Sequence, residues 1–123
     1  VPNLQGPRYV GSAPQGGFVV SEECGDVKVF TSSRQLLCSL SSRHGHRFGN
    51  PAGVCVDVDG SILVADEQLR TVHLFPERGA PVCLVSSGLQ RPAGLACSSF
   101  GQLFVADAGD NCVKVFKYCV RSP

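Results

Sequence analysis

PAGVCVDVDGSILVADEQLRTVHLF, residues Pro51 to Phe75, and PAGLACSSFGQLFVADAGDNCVKVF, residues Pro92 to Phe116, are two copies of one unit set 41 residues apart. Pro, Ala and Gly open both. Gly60 and Gly101 each lie nine residues after the Pro. Val64-Ala65-Asp66 and Val105-Ala106-Asp107 share one offset, and Phe75 and Phe116 close the unit nine residues after the Asp. A weaker copy, LQGPRYVGSAPQGGFVVSEECGDVKVF, runs from Leu4 to Phe30. Pro7 and Gly16 fall into line, and Phe18 to Glu22 takes the place of Ile62 to Asp66. One position is missing near Cys24-Gly25, so the repeat spacings are 44 and 41 residues.

A period in the low forties, built from short strands with turn residues between them, signals a β-propeller with one four-stranded sheet per repeat. Each copy divides into strands a to d. Strand a is Tyr9-Val10, Gly53 to Asp57 and Gly94 to Cys97. Strand b is Phe18 to Ser21, Ile62 to Ala65 and Leu103 to Ala106. These runs are apolar throughout, as expected for a strand buried on both faces between blades. Asp59-Gly60 is a strong hairpin signal between a and b, and Phe100-Gly101 a weaker one. Strand c, ending at Phe30, Phe75 and Phe116, alternates. Val27, Val29, Val72, Leu74, Val113 and Val115 point one way, and Lys28, His73 and Lys114 the other. His73 is expected to face solvent or an outer surface. Strand d is Leu36 to Leu40 and Val82 to Val85, with Cys38 and Cys83 equivalent. The last copy would place its strand d near position 124, so that strand is expected to be missing. No helical period is present, and the remaining segments read as loops.

The expected fold is therefore all-β: three blades in an open arc, a partial five- or six-bladed propeller whose last blade lacks its outer strand. Residues 1–123 form a single domain with repeats at about 4–40, 49–85 and 90–119.

The 123 residues suffice for one domain with 43% hydrophobic content. Eleven basic and ten acidic residues leave a net charge of +1, without the bulk positive charge that holds many proteins on nucleic acid. No apolar run is long enough to span a membrane, and no charged-then-apolar leader is visible. A soluble, cytoplasmic protein is expected. Seven cysteines, none in a CxxC pair, read as reduced core thiols. There is no Met, so either an initiator has been removed or the chain is a piece of something longer.

The quoted units resemble NHL repeats: Pro-x-Gly-[Val/Leu] at strand a, Gly-x-[Ile/Leu]-[Leu/Phe]-Val-Ala-Asp through strand b, and Val-x-[Val/Leu]-Phe on strand c. The resemblance covers nearly the whole chain. Pro92 to Tyr118 is similar to the terminal NHL repeat of tripartite-motif ubiquitin ligases. The resemblance implies propellers of five or six blades in complete members and a face that binds protein or RNA. It carries no RING, B-box or coiled coil onto these residues.

An open arc leaves apolar faces uncovered at both end blades. Closure with a second copy as a homodimer, completion of another partial propeller, or a longer chain would each cover them.

The b–c and d–a loops share one face, which holds seven of the ten acids and four of the eleven bases. That mixture disfavours RNA binding through phosphates. The basic segment Arg43-His44-Gly45-His46-Arg47-Phe48, with Arg70 and Arg91, is the candidate interaction loop, set against the alternative of a solvated loop. Asp66 and Asp107 are expected to be structural carboxylates accepting backbone N–H groups of the following turn. His44 and His46 could supply two metal ligands, but no third lies near them in sequence, so no metal is expected. With no nucleophile elbow, Cys–His pair or phosphate-cradling loop, neither a catalytic residue nor a cofactor is expected. The reading is a non-catalytic protein-interaction module, by resemblance a substrate-binding or adaptor part in ubiquitin-dependent turnover. The alternative is an RNA-binding adaptor.

Overall fold

The Pro-x-Gly openings set where each sheet begins. Proline lacks an N–H, so it fits the first residue of a strand better than its middle. In the computed structural model, which describes residues 1–23 and 25–118, the three innermost strands start at these prolines. They are β1 (Pro7–Ser12), β5 (Pro51–Val56) and β9 (Pro92–Cys97). Each starts two residues earlier than the apolar pattern alone suggests. The other strands are β2 (Phe18–Glu22), β3 (Asp26–Phe30) and β4 (Leu36–Ser39), then β6 (Ile62–Asp66), β7 (Thr71–Phe75) and β8 (Val82–Val85), then β10 (Gln102–Asp107) and β11 (Cys112–Lys117).

They form three antiparallel sheets ordered β1-β2-β3-β4, β5-β6-β7-β8 and β9-β10-β11. Among the described residues the third sheet has no fourth strand. The arc is an open partial propeller. The position missing near Cys24, and Cys119, lie outside the described residues.

The a–b turns are longer than a two-residue hairpin. Asp57 closes one by accepting the N–H groups of Asp59 and Ser61 on Oδ1, both at 3.0 Å. Gly60 supplies the left-handed conformation there, with φ +80°. Ser98 Oγ does Asp57's work in the third blade, accepting from Phe100 and Gln102. The Tyr118 hydroxyl donates to Asp57 Oδ2 at 2.9 Å and ties the end of blade three to blade two.

One loop expectation is corrected. Leu40–His44 forms a short helix, α1. Ser39 caps it, its Oγ accepting from Ser42 N at 3.4 Å. Leu40 is buried under it, and Gly45 ends it at φ +62°. The signals were a Ser cap and a C-terminal Gly. Five residues are too few to show a helical period.

Burial follows the blade stacking. Val19 and Val27 of blade one meet Val54, Ile62, Val64 and Phe75 of blade two. Leu63, Ala65 and Val72 on the opposite face of blade two meet Leu103 and Val105 of blade three. Strand β6, the central blade's strand b, is buried at all five positions. Two cysteines depart from the core-thiol expectation: Cys83 and Cys112 are exposed, while Cys38, Cys55 and Cys97 are half-buried, and these five are free thiols.

Gly53 marks where the innermost strands come closest. A Cβ there would lie 2.1 Å from the Ala93 carbonyl oxygen and 2.6 Å from Leu95 N. Both obstacles are backbone, so neither can swing aside. We expect Gly53→Ala to lower the free energy of unfolding by about 3 kcal/mol or more, or to prevent folding, as read by urea titration.

Candidate functional site

The face formed by the b–c and d–a loops is organised by three buried carboxylates at the ends of β2, β6 and β10. Asp66 Oδ2 accepts Gly49 N at 2.7 Å, and Oδ1 accepts Asn50, Gln68 and Leu69 N between 3.0 and 3.1 Å. Asp107 repeats the arrangement with Gln90, Arg91, Gly109 and Asp110. Each aspartate therefore holds the turn after its own strand and also the segment entering the neighbouring strand a. Glu22 has the corresponding place in blade one and accepts Gln5 N at 2.6 Å.

A base on strand c stands beside each carboxylate. Lys28 Nζ reaches Glu22 at 3.1 Å, and Lys114 Nζ reaches Asp107 at 2.8 Å and also Asp110. Burial pushes the Asp107 carboxyl up, but the hydrogen bonds from Lys114, Gln90, Arg91 and Asp110 outweigh it and hold the group well below the usual carboxylate range. Hydrogen bonds donated to Asp107 and Asp110 raise Lys114 in turn. His73 occupies the equivalent position in blade two. The residue spacing made this series visible; its purpose needed the fold.

These three carboxylates are 1% exposed, so they add little to the surface charge of the face. What remains exposed there surrounds an open groove of about 610 Å³ crossing all three blades. Glu23, Asn50, Glu67, Arg70, Gln90 and Arg91 are among its lining residues. Arg8, which sequence reasoning overlooked, reaches across from β1 to Glu67 Oε1, Asn50 Oδ1 and the Pro51 carbonyl, each at 3.1 Å. No ion pair of Arg70 or Arg91 occurs among the described residues. Arg70 sits at φ +57°, where blades one and three carry Gly25 and Asn111. Left-handed backbone suits Gly and Asn and strains an arginine.

The six candidate loop residues separate into different surroundings. Arg70 and Arg91 line the groove. Arg43 turns away and donates to the Glu77 carbonyl at 2.6 Å, beyond the end of β7. Arg47 is exposed beside a second hollow with Gly45, His46 and Phe48. His44 and His46 pack inward. The His46 ring is 4.5 Å from Phe48, 4.7 Å from His73 and 5.0 Å from Phe75, and His44 lies 5.4 Å from Phe75.

His73 thus packs against the α1–β5 loop, half-buried, where an outer or solvent-facing position was expected. Burial pushes all three imidazoles below their ordinary value of 6.5. Arg43 adds to this for His44 and His73 for His46, while Asp66 opposes it for His46 and His73. No group of three or more His, Cys, Asp or Glu with metal-binding geometry occurs among the described residues.

The NHL repeat pattern matches residues 48–73 and 89–116. NHL-repeat-containing protein 4 of Mus musculus is 59% identical over 115 residues, covering 94% of this chain and 85% of the relative. The chain belongs to the NHL-repeat proteins. The Homo sapiens protein of the same name is 56% identical over 114 residues, with 93% of both chains covered. The NHL repeats also relate it to E3 ubiquitin-protein ligase TRIM32 of Mus musculus, 41% identical over 107 residues, which are 87% of this chain and 16% of the ligase. The WD40 beta propeller domain of Doa1 superposes with a TM-score of 0.70 at 18% identity, covering 89% of this chain and 36% of that one. This last likeness concerns the fold alone.

Two outcomes follow from the NHL face. Asp66→Ala leaves four backbone N–H groups without their acceptor, and should cost about 2–4 kcal/mol in urea unfolding. The histidines give a pH dependence. Folded imidazoles with lowered pKa bind protons less readily than unfolded ones, so stability falls as pH drops through 6.5. Thermal melts between about pH 7 and 5.5 should show this loss, and His46→Phe should reduce it.

Proposed function

We propose that this NHL-repeat chain is a non-catalytic module that holds an extended polar segment of a protein partner in the groove across its three blades. The observation that carries this reading is Arg70. Its counterparts are Gly25 and Asn111, residues suited to the left-handed turn. An arginine there costs the fold about 1 kcal/mol relative to glycine, and its side chain lines the groove. Strain kept at a lining residue suggests a use for the side chain. Arg70 and Arg91 offer planar donors for carboxylate or carbonyl groups, while Glu23, Asn50 and Gln90 can meet the remaining polar groups of a peptide.

Kinship with a ubiquitin ligase over its NHL part supports an adaptor role in ubiquitin-dependent protein turnover, with the ligase chemistry supplied by another chain. RNA is the weaker reading. Two arginines beside Glu23 and Glu67 would neutralise few phosphates, and Arg43, His44 and His46 point elsewhere.

Arg70→Gly should separate stability from binding. Unfolding free energy should rise by about 0.5–1 kcal/mol as the backbone strain is relieved. Proteins that co-purify with the wild-type chain should be lost from Arg70→Gly/Arg91→Ala and kept by Arg47→Ala. Retention by the double variant would refute the groove. Salt-sensitive binding of a single-stranded RNA oligonucleotide, abolished by the same double variant, would favour the RNA reading instead.

A further inference from the structure

The two outer faces of the arc carry residues whose counterparts inside it are covered by a neighbouring blade. In blade two, Leu63 pairs with Leu74 and Ala65 with Val72 on the face toward blade three. Leu63, Ala65 and Val72 are fully buried there. The same positions in blade three are Phe104 paired with Val115 and Ala106 paired with Val113. They are equally apolar, yet Val113 is 62% and Val115 53% exposed. The opposite end shows the same thing. Val54 pairs with Val64, and Leu95 with Val105, on faces that meet a preceding blade. Their counterpart is Val10 paired with Val20; Val10 is 68% exposed, while Val20 is 5% exposed. Leu4, Pro7, Arg8, Tyr9, Val10 and Val20 surround a shallow hollow of about 230 Å³ there.

A glycine gives independent support. Gly53 must be glycine because β9 of the next blade passes within 2.1 Å of where its Cβ would stand. Gly94 is the equivalent residue in blade three, but among the described residues its Cβ would meet only the Ala106 methyl at 3.7 Å. Among the described residues nothing requires a glycine at that position. The close-approach residue and the apolar face around it are both present where, among the described residues, no further blade packs.

We propose that blade three of one chain packs against blade one of a second copy, so that two arcs close head to tail into a six-bladed ring. The face on blade three has, inside the chain, the form that receives a following blade. The face on blade one has the form that fits onto a preceding one. One sequence therefore supplies both halves of the junction, and a two-fold axis along the propeller makes the two junctions identical. A second copy is favoured over a longer chain by the relatives. The matches take up 85% and 93% of the two proteins of the same repeat type, leaving less than one 41-residue repeat outside them. Those proteins have no room for the other half of a ring.

Light scattering from about 1 to 100 µM protein tests this directly. The expected mass is twice the 13.0 kDa of one chain. Gly94→Val, Val10→Lys and Val113→Lys should each fold, as judged by β-type circular dichroism, and each should run at the single-chain mass. Mixing Val10→Lys with Val113→Lys should recover the doubled mass, because one intact junction remains between the two variants. A single-chain mass for the wild type throughout the range overturns the proposal. So does a doubled mass for Val10→Lys alone, which would mean that the blade-three faces pair with each other. A mass that climbs without limit overturns closure, since the junction would then build an open chain.

Discussion

A propeller blade is a sheet with two apolar faces, and only another blade fits against them. Each valine or leucine removed from water contributes about 1.5–3 kcal/mol, so stacking is the main source of stability in the arc. Blade two has a neighbour on both sides, and its strand β6 is buried end to end. Blade three has a neighbour on one side, and its corresponding strand β10 alternates between buried and accessible positions. The repeat unit is the same in both. The difference in burial comes from where the unit stands in the stack.

Within each sheet the entry segment and the b–c turn still have to be held together, and the buried carboxylates do this. Asp66 and Asp107 each join the end of strand b to the start of strand a in their own sheet and also hold the turn that follows. Charged acceptors bind backbone N–H groups more strongly than neutral ones. Lys114 then balances the charge of Asp107, and Lys28 that of Glu22. Blade two substitutes His73, which is smaller and lowered in pKa by burial, and it packs against His46 instead of bridging. His46 and Phe48 of the α1–β5 loop pack with His73 and Phe75 there. On the loop face the carboxylates are buried and the groove between the blades is open to solvent.

Most of the fold was legible because repetition multiplies weak signals. A single Val-Ala-Asp triplet means little, whereas two at one offset beside matching Pro, Gly and Phe residues define a blade. The helix α1 was not legible because it occurs once and is too short for a period. The site was less legible than the fold. Arg8 contributes to the groove from the first repeat while its partners Asn50 and Glu67 lie in the second, and no local pattern links them. Arg43 and Arg91 look alike in sequence and point to different places. The direction of a long side chain depends on which acceptor the fold brings near, here the Glu77 carbonyl for Arg43.

The residues alone determined the repeat period, the all-β architecture, the order of strands in each blade and the positions of the carboxylates that end strand b. These follow from local chemistry: side-chain alternation, turn propensity, and the fit of Pro and Gly to particular backbone angles. Only the tertiary structure decided that three of the seven acids on the loop face are buried, that three histidines converge on two phenylalanines, and that a Cβ on Gly53 would run into the next blade's backbone while one on Gly94 would meet the Ala106 methyl among the described residues. Each of these depends on the distance between repeats in space. Identical residues acquire different surroundings when one blade is covered on both faces and the other on one face among the described residues.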